Sequence, residues 1–295
     1  MRGRAARSRA LALLGAILCL TLSGRARAAE PLAWKPDWPR FRPSEYVLTG
    51  VAGAASLGIY FGIRNADPPH WTGGVLFDEA VRNALRLHTR KRLGTARFTS
   101  DVFALTTVTW AVGVDSLAVP ILRRTSDVAG QLVLMDTEAY ALSTLITNSI
   151  FKLAGRARPS YRDCESDPYF DSLCHINDTS SFPSGHTNFA FTAAGLSCAH
   201  HLHLALYGNR AADILACTGT IALAGVTSGL RVFGDRHYVS DILLGAMIGF
   251  GVGYGVPTLL HYGKVRDSTE SGQASQALQL SPMGASLGPT FSGTF

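Results

Sequence analysis

Long stretches without a charged residue dominate the chain from about residue 45 onward. Apolar residues continue through these stretches for much longer than the usual length of a strand, so the pattern predicts helices. Each stretch is close to the roughly 20 residues that a helix needs to cross a bilayer. Four stretches, of 18, 23, 17 and 22 residues, contain no Asp, Glu, Lys or Arg: 46–63, 187–209, 214–230 and 242–263.

Two further apolar runs contain acids. Residues 102–122 include Asp115, and residues 128–151 include Asp136 and Glu138. Ionisable groups at mid-membrane depth are costly and normally face the interior of a bundle or a cavity. Because strand signals are few, the pattern predicts an all-α bundle of about six long helices that spans a membrane. A soluble bundle would accommodate the three acids without any membrane cost.

The N-terminus has the pattern of a secretory signal peptide. Four arginines precede an apolar run, Ala10 to Leu22, and Ala26-Arg27-Ala28 follows it. A basic region, a short apolar region and a small-residue cleavage site are the marks of a signal peptide. We therefore expect cleavage near Ala28 and export, with a retained membrane anchor as the alternative.

Charge is concentrated in the same segment. Residues 1–28 hold six of the 27 Lys and Arg and no acid, and the remainder has 21 basic and 21 acidic residues. The basic isoelectric point therefore reflects the N-terminus and does not indicate a nucleic-acid partner. A charged fraction of 16% is low for a soluble domain. The predicted divisions are a signal peptide, a Pro-rich and aromatic surface lead-in, a helical domain and a flexible tail, at 1–28, 29–45, 46–263 and 264–295.

The stretch 82–97 holds six basic residues and no acid. Two interpretations remain open. The stretch is either a helical face toward solvent or lipid headgroups, or a surface that recruits a phosphorylated substrate.

Three motifs carry residues suited to chemistry. The first ends the third long helix at Pro159, the second opens the fourth helix, and the third joins the fifth helix to the sixth. In an antiparallel bundle these helix ends lie on the same side, so the motifs should converge. The motif residues are Lys152, Arg158 and Pro159; Pro183, Ser184, Gly185 and His186; and Arg231, His237 and Asp241.

The converging residues suit a tetrahedral dianion. Lys152, Arg158 and Arg231 provide cations, and the helix N-terminus at Ser184 provides free N–H groups. Two histidines on opposite sides of the anion would supply a nucleophile and an acid.

The third motif also pairs a histidine with a carboxylate. His237 and Asp241 are i and i+4, so they share one helical face. A carboxylate behind an imidazole fixes the tautomer of the ring and steadies the imidazolium.

At these residues the chain resembles the superfamily of type 2 phosphatidic acid phosphatases and vanadium haloperoxidases, whose pattern is K-x6-R-P, P-S-G-H and S-R-x5-H-x3-D. The resemblance covers about residues 100–260. It implies the helical bundle of that family, with His237 as the nucleophile that forms a phosphohistidine, Asp241 orienting it and His186 as the acid. It implies no metal and no cofactor. The implied ligands of the phosphoryl oxygens are Lys152, Arg158, Ser184, the Gly185 N–H and Arg231.

Two positions depart from that pattern. Only five residues separate Lys152 from Arg158, so alignment on Arg158-Pro159 places Phe151 at the family's lysine position. Lys152 is then rotated by about 100° around the helix. Leu230 stands where the family has a serine before the arginine, and Ser228 is a possible substitute.

The resemblance implies a membrane-associated phosphatase that acts on a lipid phosphate or pyrophosphate monoester, without a nucleic-acid partner. A soluble exported acid phosphatase of the same superfamily is the alternative. A vanadium haloperoxidase and a non-catalytic membrane scaffold are further alternatives from other classes. The oligomeric state and the identity of the lipid stay open.

The orientation in the membrane can be argued in two ways. Cleavage near Ala28 and six spans would leave the motif face in the cytoplasm. Five spans, with 46–63 not crossing, would put that face outside, but the basic stretch 82–97 would lie outside too, against the positive-inside rule. We expect an inner-membrane protein of a bacterial-type envelope with its active site facing the periplasm.

The remaining cysteines and histidines are expected to have structural rather than catalytic roles. Cys164 and Cys174 lie in an exported loop between two motifs, which favours a disulfide. Cys198 and Cys217 flank a turn at Tyr207 and are either two buried thiols or a second disulfide. Three histidines near that turn are expected to cap a helix C-terminus rather than bind a metal: His200, His201 and His203.

Overall fold

The computed structural model describes residues 32–171, 173–174 and 179–263. The predicted signal peptide and flexible tail lie outside the described residues. Within them the regular structure is helical, apart from one isolated bridge between Trp71 and Arg156. The all-α prediction is confirmed.

Each of the six apolar runs overlaps a long helix. One of these helices, Arg90–Leu122, is continuous over 33 residues and includes a π-helical segment. The bounds are α1 Pro43–Gly62, α2 Asp78–Leu85, α3 Arg90–Val108, the π-helical segment Thr109–Ala118, α4 Val119–Leu122, α5 Ser126–Ala154, α6 Tyr161–Ser166, α7 Gly185–His203, α8 Arg210–Phe233 and α9 Val239–Leu260.

Local sequence explains several helix ends. Gly155 ends α5 in the left-handed conformation, with φ of 49°, which glycine adopts at little cost. The Ser184 side chain accepts a hydrogen bond from the Thr187 N–H and begins α7. Asn209 begins α8 in the same way, through two backbone N–H groups.

A row of glycines brings α7 and α9 into backbone contact. Gly245, Gly249 and Gly253 are spaced by four residues on α9, and each faces a carbonyl oxygen at the N-terminal end or middle of α7. A Cβ on Gly245 would lie 2.7 Å from the Ser184 carbonyl oxygen. Small residues at this spacing allow two helices to approach closely. The contact holds the start of α7, which carries the second motif, beside the start of α9, which carries the third.

This contact predicts a contrast between two glycines of α9. Gly249→Ala should destabilise the fold by about 1–3 kcal/mol, because the new methyl group meets the Asn188 carbonyl and overpacks the contact. Gly251→Ala is the matched control, since a Cβ there has no atom within 4 Å. The control should be neutral or slightly stabilising. Thermal unfolding of the two purified variants measures the difference, and equal melting temperatures would contradict the role of the glycine row.

The N-terminal lead-in is not the surface segment that its sequence suggests. Trp34, Trp38 and Phe41 are buried and pack with Tyr262 at the end of α9. The ring centres of Trp38 and Tyr262 are 4.9 Å apart. The segment therefore belongs to the core of the bundle.

The acids in the apolar runs face the interior and pair with histidines. Asp136 accepts from His200 at 2.8 Å, and Asp115 lies 3.2 Å from His201. Glu138 lies 3.5 Å from a third histidine, His261. His200 and His201 are thus buried partners of carboxylates instead of helix caps.

His203 differs from its two neighbours. Its Nδ1 hydrogen-bonds the Ala199 carbonyl of the last turn of α7 at 2.8 Å. Of the three histidines, it is the one whose contact matches the predicted cap.

Three helices of the described chain are long and apolar enough to cross a membrane. Large apolar side chains of α1 and α3 are also exposed, including Phe61 and Leu105. These features indicate association with a membrane. The three helices are Arg90–Leu122, Arg210–Phe233 and Val239–Leu260.

Candidate active site

The three motifs meet at one end of the bundle. His186 lies in the first turn of α7, and His237 lies in the turn between α8 and α9. Both histidines line one cavity, together with Arg158 and Gly185. The convergence expected from alternating helix directions is therefore present.

His237 is held in one orientation by a backbone carbonyl. Its Nδ1 donates to the Ser181 carbonyl oxygen at 2.8 Å. Because a carbonyl only accepts, the neutral ring carries its proton on Nδ1 and leaves a lone pair on Nε2. Burial, and then the charges of Arg158 and Arg231, hold the pKa of His237 well below its usual range. The resting imidazole is therefore neutral, as a nucleophile requires.

Asp241 supports His237 less directly than the i, i+4 spacing suggests. Its Oδ2 lies 3.7 Å from the His237 Nδ1, which is too long for a hydrogen bond. The same oxygen accepts from the Ser181 hydroxyl at 2.6 Å and from the Tyr238 N–H at 2.8 Å. Ser181 thus connects the carboxylate to the imidazole, through its side chain on one side and its carbonyl on the other.

His186 lies in a cluster of opposite charges. The Arg231 Nη2 is 2.8 Å from its Nε2, and the Asp101 Oδ1 is 3.0 Å from the same nitrogen. Burial, followed by the charges of Arg231, Arg158 and Arg236, lowers the pKa of His186 to about 3. A bound dianion would offset these cations and raise that pKa, which would allow the ring to hold a proton for a leaving group.

Two arginines lie beside the two histidines. Arg158 donates to the Arg236 carbonyl at 2.9 Å and to the Ser180 hydroxyl at 2.8 Å, and its Nη1 lies 3.3 Å from the His237 Nε2. The Arg231 guanidinium is mostly buried, and its Nε has no hydrogen-bond partner among the described residues. A buried donor without a partner is costly, and an oxyanion between the histidines would satisfy it.

The second motif supplies a helix N-terminus. Gly185 is the first residue of α7 and lines the cavity. The first N–H groups of a helix have no partner within the helix and favour anions. Ser184 is fully buried, and its N–H donates to the Asp241 carbonyl at 3.0 Å, so the second motif is joined to the third.

Lys152 lines the same cavity as the two histidines. Its Nζ donates to the Ile63 carbonyl at 2.6 Å and to the Asn65 side chain at 2.7 Å, at the end of α1. Phe151, at the aligned lysine position, lines the cavity as well. Lys152 therefore lines the cavity and contacts the end of α1, and its role as a phosphate ligand stays a prediction.

Ser228, the possible substitute for the family's serine, does not line the cavity. The Ser228 hydroxyl donates to the Ala224 carbonyl one turn earlier in α8, at 2.8 Å. Its hydrogen bond is therefore internal to the helix.

Sequence reasoning missed three charged residues of this region. Asp101 on α3 pairs with Arg231 and His186, and Asp78 on α2 pairs with Arg156. Arg156 was a spacer inside the first motif. Arg156 fills no position of the family pattern within the first motif and the two acids lie outside every motif, so no sequence signal marked these three residues.

Ion pairs connect the basic stretch 82–97 to the cysteine loop, the loop that holds Cys164 and Cys174. The structure joins Cys164 to Cys174 by a disulfide, and a second disulfide joins Cys198 on α7 to Cys217 on α8. Three of the six basic residues in 82–97 pair with acids of the loop or of the turn before His237, so they hold the structure together. The pairs are Arg82 with Asp163 and Asp235, Arg86 with Asp163, and Arg97 with Asp171.

The cavity extends away from the histidines between α1, α3 and α5. Its volume is about 1010 Å³, which is ample for a long ligand. One end carries Arg158 and the two histidines, and most of the remaining wall is apolar. The apolar lining residues are Leu57, Tyr60, Phe61, Ala104, Leu105, Val108, Phe151 and Phe189.

A family model described as the PAP2 superfamily matches residues 137–264. The match contains all three motifs and both histidines of the cavity. No solved structure matches the chain.

Proposed function

The chain belongs to the PAP2 superfamily, which supports a phosphatase-type function, and on that premise we propose that it is a membrane-associated hydrolase of lipid phosphate or lipid pyrophosphate monoesters. The observation that carries the proposal is the cavity, in which an anion-binding end continues into apolar walls. A lipid phosphate has the same arrangement as the cavity, with a charged head group at one end and an apolar hydrocarbon tail beyond it.

In the proposed reaction His237 and His186 act on opposite sides of the phosphorus atom. The His237 Nε2 attacks phosphorus and forms a P–N bond, while the P–O bond to the leaving group breaks. The leaving oxygen keeps the bonding electron pair and takes a proton from His186. Water then attacks the phosphorus atom and gives a proton to His186, the P–N bond breaks with its electron pair returning to the His237 Nε2, and inorganic phosphate leaves.

Arginines and backbone N–H groups would stabilise the charge of the transferring phosphoryl group. Arg158 and Gly185 line this end of the cavity, and the Arg231 guanidinium contacts the lining residues Asp101 and His186. Donors that are fixed in a partly dry site lower the barrier because they need no reorganisation. These donors need no metal or cofactor, and the proposed enzyme is metal-independent.

The positions of three acids weaken the alternative of a soluble exported acid phosphatase. It was favoured by Asp115, Asp136 and Glu138, which would be costly inside a membrane. Each of these acids lies against a histidine in the interior of the bundle, so the carboxylates do not face lipid.

Chain-length dependence tests the lipid substrate. Purified enzyme in EDTA should release phosphate faster from a long-chain alkyl phosphate than from a butyl phosphate, with a gain in kcat/KM of at least 100-fold. Each buried CH₂ is worth about 0.8 kcal/mol, so a few buried groups are sufficient. Two variants of the apolar wall, Leu105→Ser and Phe61→Ser, should reduce the preference for the long chain. Equal rates for short and long chains would instead support a non-specific acid phosphatase.

We also propose that the catalytic end faces the periplasm. The disulfide Cys164–Cys174 lies in the loop between the first two motifs, and such bonds persist in oxidising compartments. Mass spectrometry of alkylated, non-reduced protein from intact cells tests the orientation. Two free thiols at these positions would favour a cytoplasmic site.

A further inference from the structure

Arg156 is a fully buried cation beside the candidate active site. Its side chain is 0% exposed, and its guanidinium lies 4.0 Å from the ring centre of Trp71 and 4.3 Å from that of Tyr238. Nη1 is 2.5 Å from Asp241, and Nη2 is 2.9 Å from Asp78. One guanidinium therefore joins two buried carboxylates from different helices.

Asp78 brings α2 into this network. Its oxygens accept from the Ser240 N–H at 2.9 Å, from the Ser240 hydroxyl at 2.6 Å and from the Val75 N–H at 2.9 Å. Ser240 precedes Asp241, so Asp78 fixes the start of α9 as well as Arg156. Neither Asp78 nor Arg156 lines the cavity, so neither touches a substrate there.

The network reaches His237 through two more bonds. Arg156 holds one oxygen of Asp241, and the other oxygen accepts from the Ser181 hydroxyl. The Ser181 carbonyl accepts the His237 Nδ1 proton. The orientation of the nucleophile thus depends on a chain that begins on α2.

The charge of the network suits the reaction. Two carboxylates and one guanidinium leave a net charge of −1 behind the imidazole. Phosphorylation of Nε2 while Nδ1 keeps its proton gives the ring positive charge, which a fixed negative charge stabilises. Stability alone is a weak reason to bury such a triad, because apolar replacements are often as stable or more so.

We infer that Arg156 and Asp78 are positioning residues for the nucleophile: together they fix the Asp241 carboxylate and the Ser181 carbonyl, and thereby keep the His237 proton on Nδ1. The inference rests on the proposed function, in which His237 is the nucleophile. Its structural part, the tautomer of His237, can be measured without any substrate.

The variants are Asp78→Asn and Arg156→Lys, which keep the size or the charge of the side chain. The matched control is Asp213→Asn at the other end of α7 and α8. Asp213 is also a buried aspartate, and it accepts from His201 at 2.7 Å and from the Tyr207 N–H at 3.0 Å. Any general effect of losing a buried carboxylate should therefore appear in the control too.

We expect kcat per folded molecule to fall by about 10- to 100-fold in both variants, by analogy with the loss of the outer partners of metal-bound histidines. KM should change little, since no substrate contact is lost. The Asp213→Asn variant should keep the wild-type kcat. If Arg156→Lys does not fold, the Asp78→Asn variant alone tests the inference, because its amide oxygen can still accept from the Val75 N–H and the Ser240 hydroxyl.

Nitrogen-15 NMR of labelled histidines measures the tautomer, with the His237 signals identified by their loss in His237→Ala. The wild type and Asp213→Asn should show His237 protonated on Nδ1, whereas Asp78→Asn should show a mixture of tautomers. A single Nδ1–H tautomer and an unchanged kcat in Asp78→Asn would overturn the inference. A wild type that holds this tautomer but releases no phosphate would instead overturn the proposed function.

Discussion

Replacement of His237 with alanine is expected to abolish phosphate release while the bundle stays folded. The side chain supplies the Nε2 lone pair in the proposed reaction, and no other described histidine lines the cavity besides His186. Loss of a nucleophile removes the covalent route, and losses on the order of 10⁴-fold or more are typical when a member of a catalytic group is removed.

Rapid-quench labelling supplies the direct measurement for this residue. Wild-type enzyme mixed with a ³²P-labelled substrate should trap an acid-labile, base-stable phosphoenzyme, and the alanine variant should trap none. Circular dichroism and thermal unfolding of the variant check that it is folded. A His237→Ala enzyme that still turns over at the wild-type rate would rule out the phosphohistidine mechanism.

Replacement of His186 with alanine is expected to have an effect that depends on the leaving group. For an alkyl phosphate, whose leaving oxygen is strongly basic, kcat should fall by about 10²- to 10⁴-fold. For p-nitrophenyl phosphate, whose leaving oxygen needs little protonation, the loss should be much smaller. Parallel assays of the two substrates give the ratio, and equal losses on both would contradict a role as the acid.

The pH profile gives an independent check on His186. The pKa of His186 is about 3 while the cations around it are not offset, and a bound dianion should raise that value. An acid works only while protonated, so kcat for the alkyl phosphate should fall as pH rises through the pKa of His186 in the complex. This alkaline decline should be absent from the His186→Ala enzyme. Asp101→Asn removes the neighbouring carboxylate and should shift the decline to lower pH.

The sequence was sufficient to predict which helix ends converge. Uncharged runs gave the long helices, and alternating helix directions placed Arg158, His186, Arg231 and His237 at one end. These inferences depend only on local pattern and chain direction. The glycine row of α9 then provides the physical contact that holds two of the motifs together.

The sequence was not sufficient for contacts between distant segments. The i, i+4 spacing of His237 and Asp241 puts both on one side of a helix, but it cannot show that Ser181 lies between them. Asp78 and Asp101 come from helices without a motif, and their roles exist only through pairing across the fold. Their partners are 78 and 130 residues away in the chain.

The surroundings of two further segments could not be predicted for a similar reason. The lead-in around Trp34 and Trp38 was expected at the surface, because prolines and aromatic residues do not indicate which side a loop covers. Lys152 lines the cavity, so its role at the phosphate stays a prediction, but its hydrogen bonds to the Ile63 carbonyl and to Asn65 join distant segments and do not follow from its spacing to Arg158.

The apolar cavity wall is open on the flank of the bundle. Leu57, Phe61 and Leu105 line the cavity and are also 60%, 78% and 68% exposed. The cysteine loop beside the site is meanwhile anchored by its disulfide and by ion pairs to α2 and α3. A lipid could therefore slide its head group in from within the leaflet, with no need to dissolve in water first. Turnover would then follow the mole fraction of substrate in the two-dimensional lipid phase, and diluting the substrate with inert lipid would slow the enzyme even at constant bulk concentration.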